Sequence, residues 1–137
     1  MIEVYRDNEV GEMIQAYECA VKGTDWRTIV HAMSRGQAKS EYLHQLRDSW
    51  PDVTFTMVRA RCLGAPIQTA GFQRTAAYRG VPEARIGMQV RVGGHLGYIV
   101  DTNSSANFDV LFIEGLHRGL RLNCHPHSDM KFVEGEK

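Results

Sequence analysis

The chain has 137 residues, 43% hydrophobic and 23% charged, with a net charge of zero. That composition builds an ordinary core and excludes a disordered segment. No apolar run approaches the roughly 18–20 residues of a membrane span, no basic-then-apolar leader opens the chain, and Cys19, Cys62 and Cys124 are too few and too scattered for a disulfide framework, so a cytoplasmic protein is expected.

Taken in order, Ile2–Tyr5 reads as a short strand. Val10, Met13, Ile14, Tyr17, Ala20 and Val21 recur at helical spacing and predict a helix over about residues 9–22, stopped by Gly23. Trp26–Met33 is β-branched and partly alternating, which predicts a strand. Ser34 is placed to cap a helix with a buried stripe of Ala38, Tyr42, Leu43, Leu46 and Trp50, ended by Pro51. Val58–Leu63 alternates apolar residues with arginine, a strand with one basic face. Thr69–Arg79 predicts a short helix that turns Phe72, Ala76 and Tyr78 inward, with Gly80 and Pro82 behind it.

From Ile86 onward, four or five short strands are expected. Val90 and Val92, Tyr98 and Val100, and Phe108, Val110 and Phe112 alternate with their neighbours. The fold class is α+β in a single domain, 1–137. Residues 1–85 supply two or three helices and short strands; residues 86–137 form a small antiparallel, SH3-like decorated β-barrel.

Charge is unevenly spread. Residues 51–100 carry six basic groups, all arginine, against two acidic ones: Arg59, Arg61, Arg74, Arg79, Arg85 and Arg91. The guanidinium fork suits carboxylate and phosphate better than the hydrated ammonium of lysine does. A protein that tracks a long polyanion carries broad positive charge, so a neutral chain with a local arginine cluster fits a small phosphorylated ligand better. Pairing of these arginines with surface carboxylates is the plainer alternative.

Four features bear on chemistry. Gly87-x-x-Val90-x-Val92-x-x-x-x-Gly97-x-Ile99 resembles the KOW motif of SH3-like barrels, which largely encodes a tight turn and says little about RNA. The loop Asp101–Asn107 offers amides and hydroxyls. Asn103 and Asn107 either read a base or ribose edge or cap their own backbone as an Asx turn. Phe108 is a stacking face if exposed and a core residue if its alternation with Val110 and Phe112 governs. Arg118 and Arg121 either clamp a phosphate beside that loop or form a solvated edge. His117, Cys124, His125 and His127 cluster, but Cys124 and His125 are adjacent and point to opposite faces, so no metal site is expected. The ligand-binding candidates are therefore Arg74, Arg79, Asn103, Asn107, Phe108, Arg118 and Arg121. No cofactor is expected. With no Walker loop, Gly-x-Ser-x-Gly or His-Glu-x-x-His, neither is an enzyme.

From Ser34 onward the order of elements resembles a group of small bacteriophage proteins. The carrying stretches are Ser34–Tyr42, Val58-Arg-Ala-Arg-Cys62, Ile86–Val92, Ser105-Ala-Asn-Phe-Asp-Val-Leu-Phe112 and Asn123-Cys-His-Pro126. The family is the phage anti-Thoeris proteins. The resemblance implies a homo-oligomer, dimer or hexamer, acting as an anti-defence sponge in the cytoplasm of an infected bacterium. It also implies non-covalent sequestration of a cyclic nucleotide signal, glyco-cyclic ADP-ribose or cyclic oligonucleotides. The alternatives are a KOW/SH3-like nucleic-acid-binding module and a phage inhibitor that docks on a host defence protein.

Overall fold

A computed structural model of the protein describes residues 13–127 and 130–132. The fold is α+β, with two helices among the described residues and two antiparallel sheets of three and five strands. The sequence reading changes character near residue 85; the folded chain clusters into two compact units, residues 12–66 and 67–137. The proposed strand at Ile2–Tyr5 lies outside the described residues, as does the start of the helix expected over 9–22. No helix among the described residues is long and apolar enough to cross a membrane.

In residues 12–66 the order is β1 (Gln15–Val21), β2 (Arg27–Ala32), helix α1 (Arg35–Leu46), a 3-10 turn (Phe55–Met57) and β3 (Val58–Gly64). The sheet order is β2-β1-β3, so β1 is central. This corrects the helix expected to run through residue 22. Apolar residues fall at both parities of this central strand: Tyr17, Cys19 and Val21 on one, Ala16 and Ala20 on the other, all buried. That erases the period-two signal and leaves an accidental helical one. Gly23, at φ +79°, does stop the element, but the element is a strand.

Helix α1 starts where the sequence places it. Ser34 Oγ accepts from the Gln37 N–H at 3.1 Å, and Gln37 Oε1 accepts from the Met33 N–H at 2.7 Å. These reciprocal bonds satisfy donors that a helix start leaves open. Ala38 and Tyr42 are buried with Tyr17, Cys19, Val30 and Val58, and Leu43, Leu46 and Trp50 pack at the margin. The helix ends at Leu46, ahead of Pro51.

In residues 67–137, helix α2 (Ala70–Tyr78) precedes β4 (Gln89–Val92), β5 (His95–Thr102), β6 (Phe108–Phe112), β7 (Arg121–Cys124) and β8 (Met130–Phe132). The sheet order is β7-β6-β5-β4-β8. The expected barrel is therefore an open five-stranded sheet, because β7 and β8 end it rather than pair with each other. Helix α2 lays Phe72 and Ala76 on this sheet, against Ile86, Ile99, Phe108 and Val110. Tyr78, expected inward, is 77% exposed. It stands two residues past Ala76, about 200° round the helix from the buried face.

The glycines of the KOW-like stretch divide the work. Val92 pairs with His95, so Gly93-Gly94 is a two-residue hairpin loop, with φ of +58° and +85°. Positive φ at both central residues is what a type I′ turn requires. Gly97 answers a different demand: a Cβ there would stand 2.6 Å from Val110 Cγ1 and 2.9 Å from the Leu111 carbonyl oxygen.

Candidate functional site

The seven sequence candidates all lie in residues 67–137, and the fold brings only some of them together. Arg79, just past α2, donates from Nε to the Ala106 carbonyl at 2.8 Å, and from Nη2 to Asn107 Oδ1 at 3.0 Å and the Ser105 carbonyl at 3.2 Å. Its guanidinium is thus occupied in holding the 103–107 loop to the helix end.

Asn103 is occupied as well. Its Oδ1 accepts from the backbone N–H groups of Ser105 and Asn107, and its Nδ2 donates to Asp109 Oδ1 at 2.8 Å. This is the self-capping loop, and it holds Ala106 at φ +59°. Phe108 has no exposed ring: it is 0% accessible and stacks on Phe72 with centroids 5.2 Å apart. Its stacking role for a ligand is corrected by burial.

Arg118 and Arg121 do not reach this loop. Register pairs Phe108 with Cys124 and Leu111 with Arg121. The loop sits at the Phe108 end of β6, and Arg121 lies three residues, roughly 10 Å, along the strand. Arg118 lies further out, exposed in the turn between β6 and β7. Arg74 is exposed on α2, about 7.5 Å of helix axis before Arg79.

Around Cys124 the chemistry is quiet. The thiol donates to the Leu122 carbonyl. Burial, reinforced by the nearby Asp109 carboxylate, pushes it up to about 11, so it stays protonated at neutral pH and is a poor metal ligand. The Nε2–H of His127 donates to the Arg79 carbonyl, and His125 Nδ1 accepts from the His127 N–H at 3.1 Å. Among the described residues no three His, Cys, Asp or Glu side chains are grouped to hold a metal.

The concave surface lies elsewhere, in residues 12–66. A groove of about 510 Å³ is lined by Lys22, Arg27, Arg35, Lys39, Arg59 and Arg61, with Glu18, Ala20, Val58 and Ala60. That volume is ordinary for a small-molecule site. The described residues 13–66 hold seven Lys and Arg side chains and six of them line this groove; of their five carboxylates only Glu18 does. Cations are therefore sorted into one place in a nearly neutral segment.

Strand register accounts for this. Glu18 stands opposite Arg61, and Ala20 stands between Arg27 on β2 and Arg59 on β3. Register partners share a face of the sheet, so the small Ala20 leaves room between two guanidinium groups. Arg35 and Lys39 come from α1, whose first turn contains no carboxylate. A cation at a helix N-terminus is the unfavourable arrangement, and a bound anion relieves it.

Glu18 Oε1 accepts from Arg61 Nη2 at 2.9 Å, and Lys39 Nζ lies 4.4 Å from the Phe55 ring centre. Lys22, Arg27, Arg35 and Arg59 form no ion pair among the described residues. The sequence did carry a signal, the Arg-x-Arg alternation of Val58–Leu63. What it lacked was the sheet partner: a helix expected at residues 15–21 offers Arg59 and Arg61 nothing to stand beside.

Compared with known proteins, the chain matches no family model, no curated protein and no solved structure.

Proposed function

We propose that this protein binds and sequesters a small phosphorylated signal, and that the basic groove of residues 12–66 holds it. The observation that carries this reading is the convergence of six cationic side chains, five of them without an ion pair among the described residues, around about 510 Å³. Arginine forks take phosphate oxygens in pairs, and preplaced donors give affinity without turnover. Among the described residues the groove is lined by Lys, Arg, Glu, Ala and Val: no hydroxyl, thiol or imidazole stands there to attack a phosphoryl group, and the one carboxylate, Glu18, is engaged by Arg61. The ligand class implied by the resemblance, glyco-cyclic ADP-ribose or a cyclic oligonucleotide, fits this chemistry. In this proposal the protein is a phage anti-defence sponge, a homo-oligomer working in the cytoplasm of the infected host.

The test is to incubate the protein with purified cyclic ADP-ribose signal, remove free ligand, heat-denature and chromatograph. Intact signal in the released fraction supports sequestration. A cleaved product sinks it in favour of a hydrolase.

A second reading is favoured by one observation. Arg27 and Arg59 flank Ala20 on the sheet, an arrangement open to a nucleic-acid backbone. With the C-terminal sheet read as SH3-like, the chain becomes a nucleic-acid-binding module. That reading predicts oligonucleotide affinity that falls linearly with the logarithm of salt, with a slope that grows with the number of phosphates contacted. Equal binding of a single nucleotide and a long oligomer excludes it.

A further inference from the structure

We propose that the apolar cavity beside the basic groove takes the planar ring of the same ligand, and that it favours an amino-bearing base such as adenine over uracil. The inference rests on the reading of the groove as a phosphate site. The second cavity, of about 480 Å³, is lined by Val21, Trp50, Pro51, Val53 and Met57, with polar groups from Thr24, Ser49 and Asp52. Lys22 lines both cavities. Its backbone N–H donates to the Met57 carbonyl at 2.8 Å, which ties the end of β1 to the 3-10 turn at the boundary between them. One bound molecule can therefore place its anionic part among the arginines and its ring among the apolar residues, with Lys22 common to both.

The aromatic residues here are otherwise hard to place. Trp26 is 62% exposed, with its ring centre 5.3 Å from that of Trp50 and the planes at 65°. A T-shaped neighbour helps fix the Trp50 ring and covers at most one of its two faces. The turn that carries Trp26 is itself pinned: Thr24 Oγ1 donates to the Val21 carbonyl at 2.9 Å and accepts from the Trp26 N–H at 3.2 Å. The cavity wall is thus held in place by the fold, which lowers the ordering cost of binding. Asp52 brings a carboxylate acceptor to an apolar wall, and no hydrogen bond or ion pair among the described residues uses it. An exocyclic amino group donates freely to a carboxylate; uracil offers only its N3–H, set between two carbonyl oxygens that repel a carboxylate.

The chain has two tryptophans, and both stand here, so intrinsic fluorescence reports ring binding directly. The experiment titrates the full-length protein with inorganic pyrophosphate, ADP and UDP at one low salt concentration, following calorimetry and tryptophan emission together. The expected order is ADP, then UDP, then pyrophosphate, with emission changing for the nucleotides and not for pyrophosphate. Stacking on one aromatic ring makes ADP bind roughly five- to a hundredfold tighter than pyrophosphate.

Trp50→Leu should remove that ratio and leave pyrophosphate affinity unchanged. Because Trp50 also packs at the core margin, the exposed Asp52→Ala is the second variant, and it should abolish the preference for ADP over UDP. No pyrophosphate binding by the wild-type protein overturns the groove reading and this inference together. Pyrophosphate binding with no added affinity for ADP and no emission change overturns the inference alone.

Discussion

Arg79 donates to Asn107 Oδ1 at 3.0 Å, and the same guanidinium holds the carbonyls of Ser105 and Ala106. The contact spans 28 residues of sequence and anchors a loop whose own hydrogen bonds all turn inward on Asn103. A cluster that looks like a ligand site is thereby satisfied by itself. Arg79→Ala should cost about 2 kcal/mol of stability, since it removes several hydrogen bonds from a charged donor that is partly exposed. Arg79→Lys should recover little, because an ammonium cannot reproduce the planar fork. Chemical denaturation of both variants checks this, with anion binding by residues 12–66 unchanged in each.

Gly97 and Val110 test the close approach of β5 and β6. Gly97→Ala puts a Cβ within 2.6 Å of Val110 Cγ1 and 2.9 Å of a backbone carbonyl, so a destabilisation of about 1–3 kcal/mol is expected. Val110→Ala alone should cost about 2 kcal/mol, as the side chain is fully buried. The double variant should be more stable than the sum of the two losses, because one clash has gone. Full rescue is not expected: the Leu111 carbonyl cannot move without breaking the sheet. A double-mutant cycle by urea denaturation measures the coupling.

The thiols give a pH prediction with a definite sign. Burial first, then Asp109, raises Cys124 from its ordinary value of 9.0 to about 11. Between those two values the folded state holds a proton that the unfolded state has lost. Its contribution to stability is therefore fully present below pH 9 and disappears as the pH rises through about 11. In the folded protein at pH 8, a thiol reagent should label the exposed Cys62 first, with buried Cys19 and Cys124 reacting only on unfolding. Rapid labelling of Cys124 in the native state at pH 8 would contradict the burial argument.

The same contrast explains what the sequence made legible. Residues 86–132 were readable because hairpins are local: Gly93-Gly94 and the alternation at Phe108, Val110 and Phe112 each specify a strand from within a few residues. The Ser34 cap was readable for the same reason. Strand β1 was not, because its identity depends on β2 and β3 pairing on either side, and buried apolar residues at both parities blur the alternation that would betray it. Missing β1 hid the candidate site too. Glu18, Arg27, Arg59 and Arg61 come from three separated segments, and only the register of the central strand aligns them. The asparagine loop drew attention for the opposite reason, since its polar density serves its own turn.

The two locations for a ligand make opposite predictions in three variants. Arg59 is exposed and unpaired among the described residues, so Arg59→Ala should leave stability within about 0.5 kcal/mol and weaken pyrophosphate binding roughly ten- to a hundredfold. Arg118→Ala, in the exposed turn before β7, should change neither. The reverse result moves the site to the C-terminal sheet. Glu18→Gln is the sharper variant, because it predicts a gain. Glu18 holds Arg61 at 2.9 Å across an exposed pair, a contact worth at most about 1 kcal/mol to the fold. Removing its charge frees a guanidinium and eliminates the groove's one repulsive group, so pyrophosphate affinity should rise several-fold at low salt and return toward wild type at high salt. A variant that damages the site or the fold cannot tighten binding, so unchanged or weaker affinity in Glu18→Gln would show that the six cations do not act together on an anion.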